Sequence, residues 1–360
     1  GYNLVKGHIG AAILPALFAS LNDRVVSGQE FLTRLVMGYE IAARAGIVLH
    51  ETACDYHTSG AWNALGAAAV TGRHLRLTAS ETRHALGIAE YHGPRSQMMR
   101  CIEYPTMVKD GSGWGAMAGV SAAMLAQGGF SGAPAVTVEG DDAGEYWQDL
   151  GTEWRIMDQY FKPYAVCRWA QPAIAAALAV RRGTDFSLAG IQKIVVHTFH
   201  EAVCLATRRP QTTEEAQYSL PFPLAAALLH NQLGPRELSG EALHDPLILQ
   251  LADRVQLVED EAYNRRFPAQ RWARAELFLA DGTRLQSGEH QPAWDADQPP
   301  SDDELGHKFR WLAGEGLEGQ RVEEMEKAIW QLAAAAEVRS LANLLYAPPH
   351  TGSVERQFSA

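Results

Sequence analysis

The chain has 360 residues, 47% of them hydrophobic and 20% charged, and a formal net charge of −11. That length allows two domains, each with its own core, and the composition is that of an ordinary globular protein. The acidic balance, with no basic block longer than Arg181-Arg182 or Arg208-Arg209, excludes a nucleic-acid surface, which needs clustered Lys and Arg. No apolar stretch reaches the roughly 18 residues of a membrane helix, and no basic segment precedes an apolar signal core.

Residues 1–157 read as helices separated by short Gly-rich breaks, the first part of a large helical domain. Segment 28–46 is amphipathic, with Phe31, Leu32, Leu35, Val36 and Ile41 on its apolar side. Thr78 is placed to cap a helix that begins at Ser80-Glu81-Thr82. Small residues recur every three or four positions, at Gly60, Ala64 and Ala68 and at Gly111, Gly115, Gly119 and Ala123, so the helices that carry them are expected to approach closely.

Residues 158–300 read as a smaller α+β lid. Strands are predicted over Ile191–Phe199, Arg254–Val258 and Arg274–Leu279, the last turning through Asp281-Gly282 into Thr283–Gly288. A helix over 214–231 interrupts them, and Pro292, Pro299 and Pro300 close the segment. Residues 301–360 return to helix, with a capping-box start at Ser301-Asp302-Asp303-Glu304 and a helical run over Val322–Leu345. The expected architecture is therefore mainly α with α+β: a discontinuous helical domain that carries a lid. The chain begins at Gly1, without Met and directly in a helix-entry motif, so a natural segment upstream of it is expected.

Four times a basic or imidazole side chain stands just ahead of a helix of small residues. His8 leads into AAILPALFAS, His57 into AWNALGAAAVTG, Lys109 into WGAMAGVSAAMLAQ, and Lys162, through Cys167, into WAQPAIAAALAV. Free N–H groups and partial positive charge at a helix start hold anions. Taken singly, such a histidine or lysine is more often a capping or solvated group. Recurring together, they point to a pocket for a small acid with several carboxylates. Both lysines are flanked by apolar or small residues, and a lysine partly desolvated at a helix start has a lowered pKa and can serve as a base.

Other motifs lead elsewhere. Cys54, Cys101, Cys167 and Cys204 never approach C-x-x-C, so no metal site, no disulfide scaffold and a reducing cytoplasm are expected. His197 and His200 are expected on opposite faces of a strand, which argues against a shared metal. Gly111, Gly113 and Gly115 lack dinucleotide-loop spacing, and no G-x-S-x-G elbow occurs. Cys167 reads equally as a nucleophile or a buried thiol. Trp62, Trp114 and Trp169 read as packing residues, one of which could line the pocket.

From Gly1 to about Leu345 the chain resembles the MmgE/PrpD family, which includes 2-methylcitrate dehydratase, cis-aconitate decarboxylase and iminodisuccinate epimerase. The resemblance is carried by KGHIGAAILPALFA, YHTSGAWNALGAAA, MVKDGSGWGAMAGVSAAMLAQGGFSG and FKPYAVCRWAQPAI, with support from TTEEAQYSLPFPLAAALL and SDDELGHKF. It implies a helical domain with an α+β lid, a homodimer, no metal or organic cofactor, and a polycarboxylate substrate, with neither nucleic acid nor membrane as partner. By motif, His8, His57, Lys109 and Lys162 line the active site. Tyr56, Thr58, Ser59, Cys167, Arg168 and Phe222 are the flanking substrate-binding positions.

Three positions depart from the family. Cys167 stands where the decarboxylase has histidine, Gln171 where many members have histidine, and Phe222 where the decarboxylase has tyrosine. An aspartate pair that the family places upstream of the first motif would fall before Gly1. The shared chemistry moves a proton next to a carboxylate. Lys109 and His57 are expected to be the acid–base pair, with His8 and Lys162 holding carboxylates or enolate-like charge. A 2-methylcitrate dehydratase-like lyase is the leading expectation. An epimerase, a decarboxylase and an inactive dimeric helical scaffold stay open.

Overall fold

Small residues decide how the first part of the chain packs. The computed structural model describes residues 1–21 and 24–347. The leading helices are α1 (Gly10–Ala19), α2 (Gly28–Thr52), α3 (Gly60–Leu75), α4 (Ala79–His92) and α5 (Ser112–Gln127). α3 lies at the centre, almost wholly buried, against α1, α2, α4 and α5. A Cβ on Gly115 would come within 2.6 Å of the Gly60 carbonyl oxygen, and one on Gly119 within 2.3 Å of that of Ala64. The two predicted small-residue stripes therefore face each other, and any side chain there would separate the helices. The cap expected at Thr78 is present, and α2 has one at Ser27 that was not expected. The Ser27 hydroxyl accepts from the Glu30 N–H, and Thr78 with Glu81 forms a reciprocal capping box.

The α+β part, expected to be a lid, is built on α6 (Gln171–Gly183), α7 (Pro221–His230) and a mixed sheet. The strands are β1 (Ile191–Thr198), β2 (Val255–Glu259), β3 (Ala273–Leu279) and β4 (Arg284–Gln286), in the order β2-β1-β3-β4. β1 runs parallel to β2, with Val196 opposite Leu257, and antiparallel to β3, with Val196 opposite Ala275. The Asp281-Gly282 turn joins β3 to β4. The lid core gathers Trp169, Ile174, Ile194, Val196, Phe222 and Leu277, and it also takes Met98 and Ile102 from the first part of the chain.

Two expected helices are broken. The 214–231 segment is two helices, Thr213–Gln217 and α7, because the Leu220 N–H pairs with the Leu205 carbonyl and Pro221 opens the second helix. The 322–345 run ends at Trp330, and the chain then turns through Leu332–Ala334. There the Ala335 carbonyl accepts from Gly28 and the Val338 N–H donates to Val26, which ties the tail to the start of α2. The returning helices are α8 (Asp302–Ala313), α9 (Gly319–Trp330) and α10 (Arg339–Tyr346). α8, capped by Ser301 and Glu304, sits against the lid, where Trp311 crowds Gly234, while α10 shares the core of α1 and α2. The predicted third segment extends to residue 360, and its last part, 348–360, lies outside the described residues. Among those described, no helix is long and apolar enough to cross a membrane.

Candidate active site

Contact between α3 and α5 joins two of the predicted helix entries. The Asp110 carbonyl accepts from the Gly60 N–H. The Asp110 carboxylate accepts from the Ser59 N–H at 3.2 Å and from the Ser59 hydroxyl at 2.5 Å. Ser59 Oγ in turn accepts the His8 N–H at 3.1 Å, and Asn63 donates to the His8 carbonyl at 3.0 Å. The three loops that carry His8, His57 and Lys109 are thus fastened to one another. Lys109 has a left-handed backbone, with φ of 53°, a conformation that costs about 1–3 kcal/mol in a residue other than glycine.

The fourth entry lies near His8, on the segment that leads into the α+β part. Lys162 Nζ donates to the Val166 carbonyl at 3.2 Å, and the buried Gln171 amide donates to the same oxygen at 3.3 Å. Burial brings the Lys162 amine below its usual range, Cys167 and Asp110 oppose the shift, and Arg168 and Lys109 add to it. Burial, then the Lys162 charge, hold the His8 imidazole well below its usual value, and Arg271 and Arg168 act in the same sense. The His8 ring meets Tyr160 edge-on at 6.2 Å, and the Arg168 guanidinium lies 3.9 Å from the centre of that tyrosine's ring. An acidic chain has gathered Lys162, Arg168 and Arg271 around one neutral imidazole.

Lys109 reaches the edge of this group. Its amine donates to the Gln217 side-chain oxygen and stands 4.0 Å from Glu214, while the Gln217 carbonyl holds the Cys167 N–H. His57 does not join. It is buried, with Nδ1 unpartnered among the described residues. Burial lowers its pKa, and the charges acting on it are those of Arg95 and Asp55, not of the lysines. Of the four predicted residues, the fold brings His8, Lys162 and Lys109 into one electrostatic neighbourhood and leaves His57 at its margin.

Most flanking positions already have partners within the chain. Phe222 is fully buried in the lid core. Arg168 is buried and ion-paired to Asp295 at 2.8 Å. The Ser59 hydroxyl belongs to Asp110 and His8. Thr58 is buried beside Pro94, and the Tyr56 hydroxyl donates to the Lys6 carbonyl at 2.9 Å. Cys167 is half-buried beside Lys162, and its burial raises the thiol pKa, which favours the inert form. His200 is not on the strand. It opens a short helix and pairs with Glu259, while His197 lies 3.6 Å from Glu276.

The sequence reading missed several neighbours. Asp110 lay inside a quoted motif without a role. Lys308, in the SDDELGHKF stretch, donates from α8 to the Lys162 carbonyl, and burial, then Lys162, brings its amine down to about 8. Arg271 carried no local signal, and it reaches back to Asn3 through the fold. Behind Tyr56 stands His50, its imidazole lowered to about 4 by burial and the Lys6 charge.

Comparison with known proteins bears on this geometry. The MmgE/PrpD N-terminal domain model matches residues 1–155 and the MmgE/PrpD C-terminal domain model residues 164–332. The chain belongs to the MmgE/PrpD family. The gap between the two matches, 156–163, contains Lys162, so the lysine stands between the two matched halves. Among similar proteins, a cis-aconitate decarboxylase-like protein of Aspergillus oryzae is 25% identical, covering 94% of this chain and 77% of its own. The cis-aconitate decarboxylase of Aspergillus terreus is 23% identical, over 95% and 76% of the two chains. That of Mus musculus is 24% identical, over 95% and 74%. All three carry the name of cis-aconitate decarboxylase or of a protein like it.

Proposed function

We propose that the protein is a lyase acting on a small di- or tricarboxylic acid, by moving a proton at a carbon next to a carboxylate. The observation that carries this reading is the inner group: a neutral imidazole at His8 beside the buried amine of Lys162, ringed by further cations. A carbon acid flanked by carboxylates gains negative charge as its proton leaves, and fixed cations in a water-poor site stabilise that charge. Lys162, its pKa lowered by burial, takes the proton or returns it. Neutral His8 serves as partner, accepting or donating at the departing group. Lys109, paired with Glu214 at the edge, contributes positive charge to the entry of the substrate. This assigns the proton work to His8 and Lys162 and reverses the roles read from the motifs.

Dehydration and decarboxylation share this apparatus and differ in what leaves. The relatives' names favour decarboxylation of an aconitate-like acid. The thiol at Cys167, beside Lys162, favours a citrate-like dehydration, since the decarboxylase motif has histidine there. A panel of hydroxy-tricarboxylates, unsaturated tricarboxylates and imino-diacids, followed by CO2 release, alkene absorbance and loss of optical activity, separates lyase from epimerase. A folded protein that turns over none of them overturns the reading. Assembly belongs to the same proposal. Met107, Val108, Trp114, Met117, Met124 and Phe130 form an exposed apolar face along α5 and its flanks, which a second copy would cover. Sedimentation of the protein and of a Trp114→Glu, Met117→Glu variant tests the homodimer, and a wild-type monomer at micromolar concentration refutes it.

A further inference from the structure

Asp110 is 6% exposed, and both its carboxylate oxygens are used on one residue, Ser59. Ser59 Oγ has one proton, which goes to Asp110, and its lone pair receives the His8 N–H at 3.1 Å. The order Asp110, Ser59, His8 main chain is therefore fixed by donor and acceptor counting. The far side of Asp110 faces the inner group. Its charge acts on Lys162, Tyr56, Cys101, Cys167 and Tyr218. Among the described residues, the other charged or titratable neighbours of Lys162 include Arg168, Lys109, Lys308, His8 and the Gly1 amine, all bases, and the thiol of Cys167. Asp295 near Arg168 is spent on that arginine, and Glu214 on Lys109. Among the described residues, Asp110 is thus the carboxylate acting on Lys162 that offsets the basic ring. Burial pushes its own pKa up to about 6, against the pull of the Ser59 hydrogen bonds, so the counter-charge is held at a cost to stability.

We propose that Asp110 is a positioning residue of this site: through Ser59 it fixes the main chain of His8, and it holds a buried carboxylate as counter-charge to the bases of the inner group. The inference rests on the reading of His8 and Lys162 as the proton-handling pair. It goes further in assigning that pair a common anchor. A partner carboxylate favours the ammonium form of a buried lysine, and its loss shifts the amine toward the free base. Misplacing a reacting group by about 1 Å can lower turnover on the order of 10²-fold.

Two arms test this on the folded full chain. In the first, Lys162 and the exposed Lys193 of β1 compete for acetic anhydride at neutral pH, and mass spectrometry reads the ratio. Asp110→Asn is expected to raise Lys162 labelling relative to Lys193 by about threefold or more, since each pKa unit changes the free-amine fraction about tenfold. Ser59→Ala, which keeps the carboxylate, is expected to leave the ratio near wild type. In the second arm, with the substrate found by the panel above, Asp110→Asn is expected to lower kcat by about tenfold or more, with KM unchanged or lower, because the site has become more positive. The double variant is expected to be no worse than Asp110→Asn alone. An unchanged labelling ratio in folded Asp110→Asn overturns the counter-charge. A rise in KM at constant kcat, or additive losses in the double variant, overturns the anchoring. The labelling arm needs no substrate, so it decides the matter even if the panel shows no turnover and the proposed reaction falls.

Discussion

The inner and outer parts of the candidate site hold the same residue types, a lysine and a histidine at helix entries, in different settings. Inside, Lys162 and His8 lie between α1 and the lid, facing Tyr160, Arg168 and Arg271. Outside, Lys109 is 39% exposed and shares its charge with Glu214, and His57 lies among Arg95 and Asp55. A helix entry brings a basic side chain to a site. The packing around that side chain decides whether it can exchange a proton or only present charge, since burial without a partner is what moves a lysine toward neutrality. At Lys162 burial outweighs the opposing charge of Asp110, whereas the outer lysine has a carboxylate at its amine.

The largest test of this contrast is Lys162→Ala. A positioned acid or base contributes about 10²–10⁴ to rate, so turnover is expected to fall by that much while the far-UV spectrum and melting temperature stay near wild type. His8→Ala should fall in the same range. Steady-state kinetics on the true substrate measures both. Turnover within about tenfold of wild type for Lys162→Ala would move the chemistry out of the inner region.

Next in size is Phe222→Ala. The motif reading made Phe222 a substrate contact, whereas the fold makes it a filler of the lid core, so the cost should appear as stability. Removing a fully buried phenyl ring costs about 3–5 kcal/mol, read as a lower denaturant midpoint. Phe222→Leu, which keeps most of the volume, should recover much of the stability and retain KM. A variant with native stability and a raised KM would return Phe222 to the site.

The caps, the small-residue stripes and the hairpin were legible because each is local. Thr78 with Glu81, Ser301 with Glu304, and Asp281 with Gly282 need only their neighbours. The breaks at Ser219–Leu220 and after Trp330 were not legible. They are made by bonds from Leu220 to Leu205 and from Gly28 to Ala335, which no periodicity records. The site divides in the same way. That His8, Lys109 and Lys162 would meet could be read from a pattern repeated along the chain. That Asp110 would clamp Ser59 depends on the depth to which α5 sinks against α3. That Arg271 would complete the basic ring depends on the lid folding back onto Asn3. The entry position of His57 was visible, but the direction of its ring was not.

A smaller effect links Asp110 to pH. Its folded pKa is raised to about 6, above the value near 3.9 of an unfolded aspartate. Between those values the folded state holds more protons, so this group adds stability at low pH and loses it as pH rises through the window. Asp110→Asn removes the dependence. Going from about pH 5 to about pH 7.5, wild type should lose about 1–2 kcal/mol more than Asp110→Asn in urea unfolding. Comparing the two proteins cancels the many other carboxylates of an acidic chain. A difference of opposite sign would mean that Asp110 is stabilised as an anion, and the contrast between a strained inner region and a relaxed outer one would weaken.

The smallest expected effects belong to the outer pair. An exposed lysine paired with a carboxylate contributes about 0–1 kcal/mol, which corresponds to less than about a tenfold change. Lys109→Ala should therefore raise KM for a polyanionic substrate several-fold and leave kcat nearly unchanged. Because solvent-exposed charge is screened, the KM difference from wild type should shrink as salt is raised from about 0.01 to about 1 M. His57→Ala removes a buried ring with an unpartnered Nδ1, so its cost should fall on stability rather than on turnover. Glu214→Gln supplies the complementary test. It frees Lys109 of its partner carboxylate, and if the outer lysine acts only through its charge, substrate affinity should improve slightly at low salt. A loss of kcat in Lys109→Ala comparable to that of Lys162→Ala would show that both lysines handle protons, and burial would no longer be what separates the two regions.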